Sequence, residues 1–394
     1  MFAVSNGFIY VAFLIFIAGG VLVIEKYTQW KVFNIIPPLV WIYLLNMVFC
    51  TMGLYPDEVV LPVYSTLKDS LLHALIFIML LRCDFRKLAQ LGPRIIAVFF
   101  GCSITLGIGV LVGYPIFMGG LGGVENTWAA VAGLYAFWVG GAGNMTSMAA
   151  AFGGALNEGA FGAALALDTV CYSIWIAILL LGVRYADKWN QSVKSDAAAL
   201  TAVAAAVNAG MPKSRRRASA ADWTFLVGLS LVVSYLAQEI GTLINSKFGL
   251  FDPAVCTTLF VTVLGLVCAL TPLGRIPASE ELSGVYLYAI VALLASHANL
   301  SDLTCAPIWV LYGLVILLIH FVLMFALSKL FHWDLCTVST ASLANIGGAA
   351  SAHIVATTYD ASFAAIGVLM GLLGGAVGNF FGLGMGALLQ VLFL

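Results

Sequence analysis

Apolar residues run along this chain in blocks of about 20 separated by short polar turns, a spacing that predicts membrane-crossing helices. Twelve segments fall at residues 7–24, 35–54, 62–81, 93–113, 127–154, 161–182, 223–243, 253–270, 283–300, 306–329, 335–358 and 362–393. The fifth and the eleventh each carry a break where a membrane helix would run straight. The first break reads Trp138-Val139-Gly140-Gly141-Ala142-Gly143-Asn144-Met145-Thr146, and the second Asn345-Ile346-Gly347-Gly348-Ala349-Ala350-Ser351-Ala352-His353. In both, glycines stand beside amide or hydroxyl residues inside an apolar run.

Composition strengthens the membrane reading, because 62% apolar and 9% charged residues over 394 positions cannot cover a soluble surface. The first run has no Lys or Arg ahead of it and ends at Glu25-Lys26 without a small-residue cleavage pattern, so it is expected to be a retained helix. The eight cysteines (Cys50, Cys83, Cys102, Cys171, Cys256, Cys268, Cys305, Cys336) are scattered and form no C-x-x-C pair, which suggests neither a disulfide framework nor a zinc site. Net charge near zero gives no reason to expect a nucleic-acid partner, and the basic run Arg215-Arg216-Arg217 reads as a cytoplasmic anchoring loop.

The two halves align. Pro38 and Pro253 open the second segment of each, Leu88 and Leu303 follow the third at the same offset, and Pro93 and Pro307 open the fourth one residue out of that offset. The glycine breaks then match at a smaller offset, because the first half carries a glycine-rich stretch, Gly113 to Glu125, expected to be a loop. This gives a first membrane repeat at 1–183, a cytoplasmic connecting loop at 184–222 and a second repeat at 223–394. Basic residues cluster at Arg82, Arg86, Lys87 and Arg94, and again between Arg184 and Arg217. If all six segments of the first half crossed, these two clusters would lie on opposite sides, against the positive-inside rule. A re-entrant fifth segment restores parity and inverts the second repeat; a linker helix over Asp196 to Gly210 would be the alternative.

A helix in hydrocarbon is interrupted only where protein or water supplies the missing backbone partners. The helix end near Asn144 offers free N–H groups and partial positive charge to a carboxylate, and the preceding end offers carbonyls to a cation. Paired interrupted helices of inverted repeats form the solute and coupling-ion site of many secondary transporters. The expected solute contacts are therefore Gly140, Gly141, Gly143, Asn144, Thr146 and Ser147 in one break and Asn345, Gly347, Gly348, Ser351 and His353 in the other. Asp168, about seven residues into the sixth segment with no nearby basic residue, is the expected ion-coupling group, joined by Asn144 and Asn379.

Gly140 to Thr146, with Ala166-Leu167-Asp168-Thr169-Val170-Cys171-Tyr172, resembles the DUF819 (YjcL-like) family of integral membrane proteins along nearly the whole chain. That family looks distantly related to the 2-hydroxycarboxylate (citrate:sodium) and glutamate:sodium symporters, whose glycine motifs sit in re-entrant hairpins, and more remotely to bile-acid symporters and cation/proton antiporters. The resemblance implies an elevator-type carrier of small organic solutes, acting as a homodimer. In the second break Ala350 replaces the last glycine, which departs from the pattern.

The expected fold is thus all-α: a polytopic membrane protein of inverted repeats with two interrupted helices. Segments three to six and nine to twelve form a mobile core, and the first two of each repeat a scaffold. The expected function is Na⁺- or H⁺-coupled symport of a small anionic or zwitterionic solute such as a carboxylate, amino acid or small peptide, in the inner membrane, without a bound cofactor or resident metal. A cation/proton antiporter and a sodium-pumping subunit of a decarboxylase complex are the alternatives. No H-E-x-x-H or suitably placed G-x-S-x-G motif supports an enzyme. Lys68, Asp69 and His73 are placed near the outer end of the third segment. The four-residue spacing of Gly378, Gly382 and Gly386 suggests close helix packing within the core or across a dimer.

Overall fold

Glycine rather than proline sets the breaks: Pro62 and Pro115 lie inside uninterrupted helices, while both glycine runs interrupt theirs. The structure, a computed structural model, describes residues 3–83, 85–153, 155–195, 201, 203–207, 217–248, 252–300 and 306–394. Among these, every regular element is helical. The first half contains α1 (Gly7–Thr28), α2 (Pro38–Thr51), α3 (Asp57–Leu81), α4 (Gly92–Leu121), α5 (Val124–Gly140), α6 (Ala142–Ala151) and α7 (Glu158–Gly182). A short α8 (Ala186–Val193) follows. The second half contains α9 (Ala220–Phe248), α10 (Pro253–Ala269), α11 (Ser279–Ala295), α12 (Ala306–Phe331), α13 (Leu335–Ile346), α14 (Gly348–Tyr359) and α15 (Ala364–Phe393).

Local chemistry explains the helix starts. Asn6, Asn157 and Asp334 accept hydrogen bonds from the backbone N–H three residues on, and Pro38 and Pro253 occupy first-turn positions where a missing N–H costs nothing. Helices α1, α3, α4, α7, α9, α12 and α15 are long and apolar enough to cross a bilayer. The twelve expected segments therefore resolve into these seven, the shorter α2, α10 and α11, and two broken pairs. One expectation needs correcting: residues 113–121 are not a loop but extend α4, because Gly113 and Gly120 let α4 close onto Tyr312 and Ile308 of α12.

Both broken pairs are helical hairpins. A methyl at Gly133 would touch Met145 Cγ at 3.6 Å and Met148 Cβ at 3.8 Å. A straight helix would hold residues 133 and 148 about 22 Å apart, so α6 folds back along α5. Likewise Ser339 Oγ and Tyr359 Oη are 3.2 Å apart, against about 30 Å along continuous helix, so α14 folds back along α13. Gly141 makes the first turn at φ 96°, ψ 177°, backbone that essentially only glycine adopts, and Gly348 takes φ 71° in the second.

Helix α15 joins the hairpins through its glycines. Gly367 and Gly371 lie against Ala352 and Ala349 of α14. Gly374 and Gly378 lie against Val139, Gly140 and Asn144 at the first tip, and Gly382 and Gly386 against Ala136, Met148 and Phe152 further down that hairpin. The hairpins thus approach α15 from opposite ends, and their tips meet between Gly371 and Gly378. The glycine stripe packs inside the chain, on both hairpins.

The remaining helices fall into two groups. Helix α3 packs chiefly on α9, α10 and α11, and α11 on α1, α2 and α3, whereas α4 and α7 pack on α12 and α5. The third segment of each half therefore sides with the first two, not with the broken segments as expected. Helix α8 docks on the base of the second hairpin, where Trp189 Nε1 donates to Trp333 O at 3.3 Å and Leu335 N to Asn190 Oδ1 at 3.0 Å. Arg215, Arg216, Leu303, Cys305 and most of the 196–210 stretch lie outside the described residues.

Candidate functional site

Because α6 and α14 each begin at a glycine turn, the unpaired N–H groups of their first turns come to the tips of the hairpins. The tips open on a cavity of about 290 Å³. One wall is backbone: Gly140, Gly141 and Gly143 of the first tip, Gly348 and Ala349 of the second, and Gly371 and Gly375 of α15. The facing wall is made of side chains from α3 and α11, among them Met79, Arg82, Glu280 and Ser283. Arg82 Nη2 and Glu280 Oε1 form an ion pair at 3.7 Å, with the side chains 29% and 55% exposed, so the pair stands at the wet mouth of the cavity. Arg82 caps the C-terminal end of α3, beside the basic stretch containing Arg86, Lys87 and Arg94.

The expected site residues divide by position. Gly140, Gly141, Gly143 and Gly348 line the cavity, and Gly347 packs behind it on Tyr172 and Ser351. Asn144 is buried just beneath the first tip, its Nδ2 donating to Gly375 O at 3.3 Å. The hydroxyls of Thr146 and Ser147 both donate to Gly143 O at 2.8 Å, which anchors the first turns of α6. Asn345 stands in the last turn of α13 but does not line the cavity, its amide satisfied by Ser103 Oγ at 2.7 Å and by the carbonyls of Ala341 and Phe99. Ser351 is buried against Tyr172, whose hydroxyl is 2.9 Å from Ser351 Oγ. His353 sits on the exposed flank of α14, outside the cavity lining. Asn379 is buried on α15, with Nδ2 donating to Thr262 Oγ1 at 3.0 Å.

Asp168 lies on α7 between the hairpins. Trp138, two residues before the first tip, donates from Nε1 to Asp168 Oδ1 at 2.8 Å, and one helical turn on, Tyr172 contacts the second tip. Asp168 is not among the residues lining the cavity.

Sequence reasoning passed over three features. Arg82 read as a loop charge, and Glu280 and Ser283 carried no motif at all. His320, isolated in an apolar run, is fully buried and bonded at both ring nitrogens, to Thr105 Oγ1 at 2.7 Å and Ser342 Oγ at 2.8 Å, and Trp175 also donates to Ser342. A second cavity, about 950 Å³, lies under the base of the first hairpin and is lined by Lys68, Asp69, Asp252 and Gln390 among others. Lys68 and Asp69 thus line a vestibule remote from the tips, and they stand midway along α3 rather than near its end, because that helix starts at Asp57; His73, buried, bonds through Nδ1 to Asp69 O at 2.7 Å.

Comparison with known proteins agrees with the resemblance carried by the glycine motif. The family described as "Protein of unknown function (DUF819)" matches residues 12–392. An "Uncharacterized membrane protein YjcL" of Bacillus subtilis (strain 168) is 23% identical over 363 residues, covering 86% of each chain.

Proposed function

This chain belongs to the DUF819 family of membrane proteins, and from that premise we propose that it is a secondary active transporter of a small anionic or zwitterionic organic solute. The observation that carries the proposal is the cavity in which both hairpin tips and Arg82 meet. Exposed first-turn N–H groups and the positive ends of α6 and α14 suit a carboxylate. Arg82 adds a guanidinium that binds a carboxylate in two-pronged fashion. The backbone wall leaves room for a solute, and the side-chain wall supplies its selectivity.

The two halves, 1–183 and 223–394, are read as inverted repeats, each with five crossings and one re-entrant hairpin, which places the basic loops on the cytoplasmic side of the inner membrane. The cavity with Arg82 then opens inward, and the vestibule with Lys68 faces outward. Helices α4 to α7 and α12 to α15, tied by the α15 glycine contacts, form the moving body. Helices α1 to α3 and α9 to α11 form the scaffold. Sliding the first group along the second would carry the tips from the Arg82 level toward the vestibule, an elevator movement. Asp168, between the tips, is the group whose charge would register cation or proton binding.

The test is reconstitution of the purified protein in liposomes, with uptake of glutamate, succinate, citrate and a dipeptide driven by a Na⁺ or H⁺ gradient. Flux of any of these without a protein partner supports the carrier. No flux of all four under either gradient sinks it, and activity that needs added soluble subunits favours a pump component.

A further inference from the structure

Three oxygen atoms in the middle of this protein are buried without a hydrogen-bond donor: Asn144 Oδ1, Asn379 Oδ1 and Thr258 Oγ1. Each residue has no solvent exposure, and each stands on a different helix, α6, α15 and α10, which are in mutual contact. Asn144 donates to Gly375 O, and Gly375 is one turn from Asn379 on α15; Asn379 donates to Thr262, one turn from Thr258 on α10. A backbone carbonyl only accepts, so the Asn144 amide must turn its NH₂ toward Gly375 and leave its oxygen on the opposite side. That oxygen lies against Gly140, where α5 ends and the negative pole of its dipole falls.

Buried neutral oxygens without donors, on three helices in mutual contact and one of them beside a helix C-terminus, form a setting for a hard cation. Divalent sites rely on carboxylates, and softer metals on nitrogen or sulfur; the set here is two carboxamides and a hydroxyl. We propose that a dehydrated monovalent cation of the size of Na⁺ is held where α6, α10 and α15 meet, by the side-chain oxygens of Asn144, Asn379 and Thr258. This rests on the transport reading in calling the ion a coupling ion and in dividing the helices into scaffold and moving body; its binding stands apart. Since α10 belongs to the scaffold and α6 and α15 to the moving body, the bound cation bridges the two and holds the tips at the level of Arg82 until it leaves.

Thermal unfolding of the purified full-length protein in NaCl, KCl and choline chloride at equal ionic strength, with radioactive sodium binding alongside, tests the site. Saturable stabilisation by Na⁺, absent in choline and weaker in K⁺, is expected. Thr258→Val keeps the shape and removes an unpaired atom, so its melting temperature in choline should hold while the half-saturating Na⁺ concentration rises about tenfold or more; Asn379→Leu should raise that concentration too, with a lower melting temperature in choline because it also removes the donor to Thr262. Equal melting in all three salts, as a trapped water would give, overturns the proposal, as does a wild-type Na⁺ response in Thr258→Val. Sodium binding without flux of any tested solute would leave the site standing and remove the transport reading. Flux with no Na⁺ response would do the reverse.

Discussion

The indole N–H of Trp138 donates to Asp168 Oδ1 at 2.8 Å, joining the last turn of α5 to α7 across 30 residues of sequence. Trp138 is fully buried and Asp168 partly so, which shields the donor end of the bond from water. Trp138→Phe keeps a ring and removes the donor, and a buried carboxyl deprived of its partner costs about 1–3 kcal/mol. Thermal denaturation in detergent should show that loss, and adding Asp168→Asn should recover part of it, because a neutral amide is easier to bury. Unchanged stability in Trp138→Phe would reduce the indole to a packing group.

Gly141→Ala tests the first tip. Its backbone, at φ 96°, ψ 177°, strains any side chain by about 1–3 kcal/mol, although no atom lies within 4 Å of where the methyl would sit. The variant should insert in the membrane yet lose solute flux, because the strain is relieved by reshaping the turn that lines the cavity. Wild-type flux would take this tip out of the site.

Two glycines of α15 make an internal control. A methyl at Gly374 would fall 2.2 Å from Val139 O, while Gly384 has nothing within 4 Å. Gly374→Ala should destabilise by about 1–3 kcal/mol or more, since backbone cannot step aside. Gly384→Ala should stay within about 0.5 kcal/mol of wild type. Equal melting temperatures for the pair would contradict the close joining of α15 to the first hairpin.

Arg82 and Glu280 separate stability from recognition. A partly exposed ion pair contributes under about 1 kcal/mol, so Arg82→Gln and Glu280→Gln should melt close to wild type. If Arg82 meets the solute, Arg82→Gln should raise the KM for an anionic solute about tenfold, some 1.4 kcal/mol of lost binding. Arg82→Lys should restore only part, having one ammonium in place of a planar fork. Uptake in liposomes as a function of solute concentration gives the comparison.

Much of this arrangement is legible along the chain because hydrocarbon forbids loose backbone. Gly140–Gly141 and Gly347–Gly348 announce turns by their composition alone, and the positions of Arg86, Lys87 and Arg94 against Lys188 and Lys194 argue for a fold-back before any distance is known. The fours of Gly378, Gly382 and Gly386 announce a close approach but not to what. What stays hidden is everything decided by distant pairing. Trp138 has nothing near it in sequence to mark it as the partner of Asp168, and Arg82 is spelled like any other cytoplasmic arginine. Asn345 and Asn144 occupy comparable stretches, yet Ser103 satisfies the Asn345 oxygen while the Asn144 oxygen has no donor. Only the neighbouring helices distinguish them.

The unequal walls of the cavity bear on how such a protein diversifies. A surface of peptide groups set between glycines offers mutation little to alter, because a side chain would collide with backbone at Gly140 and Gly371 and strain the turns at Gly141 and Gly348. Across from it, Met79, Arg82, Glu280 and Ser283 project from α3 and α11, where substitution is cheap. A lineage could exchange its cargo by editing those two helices alone and inherit the carrying apparatus untouched.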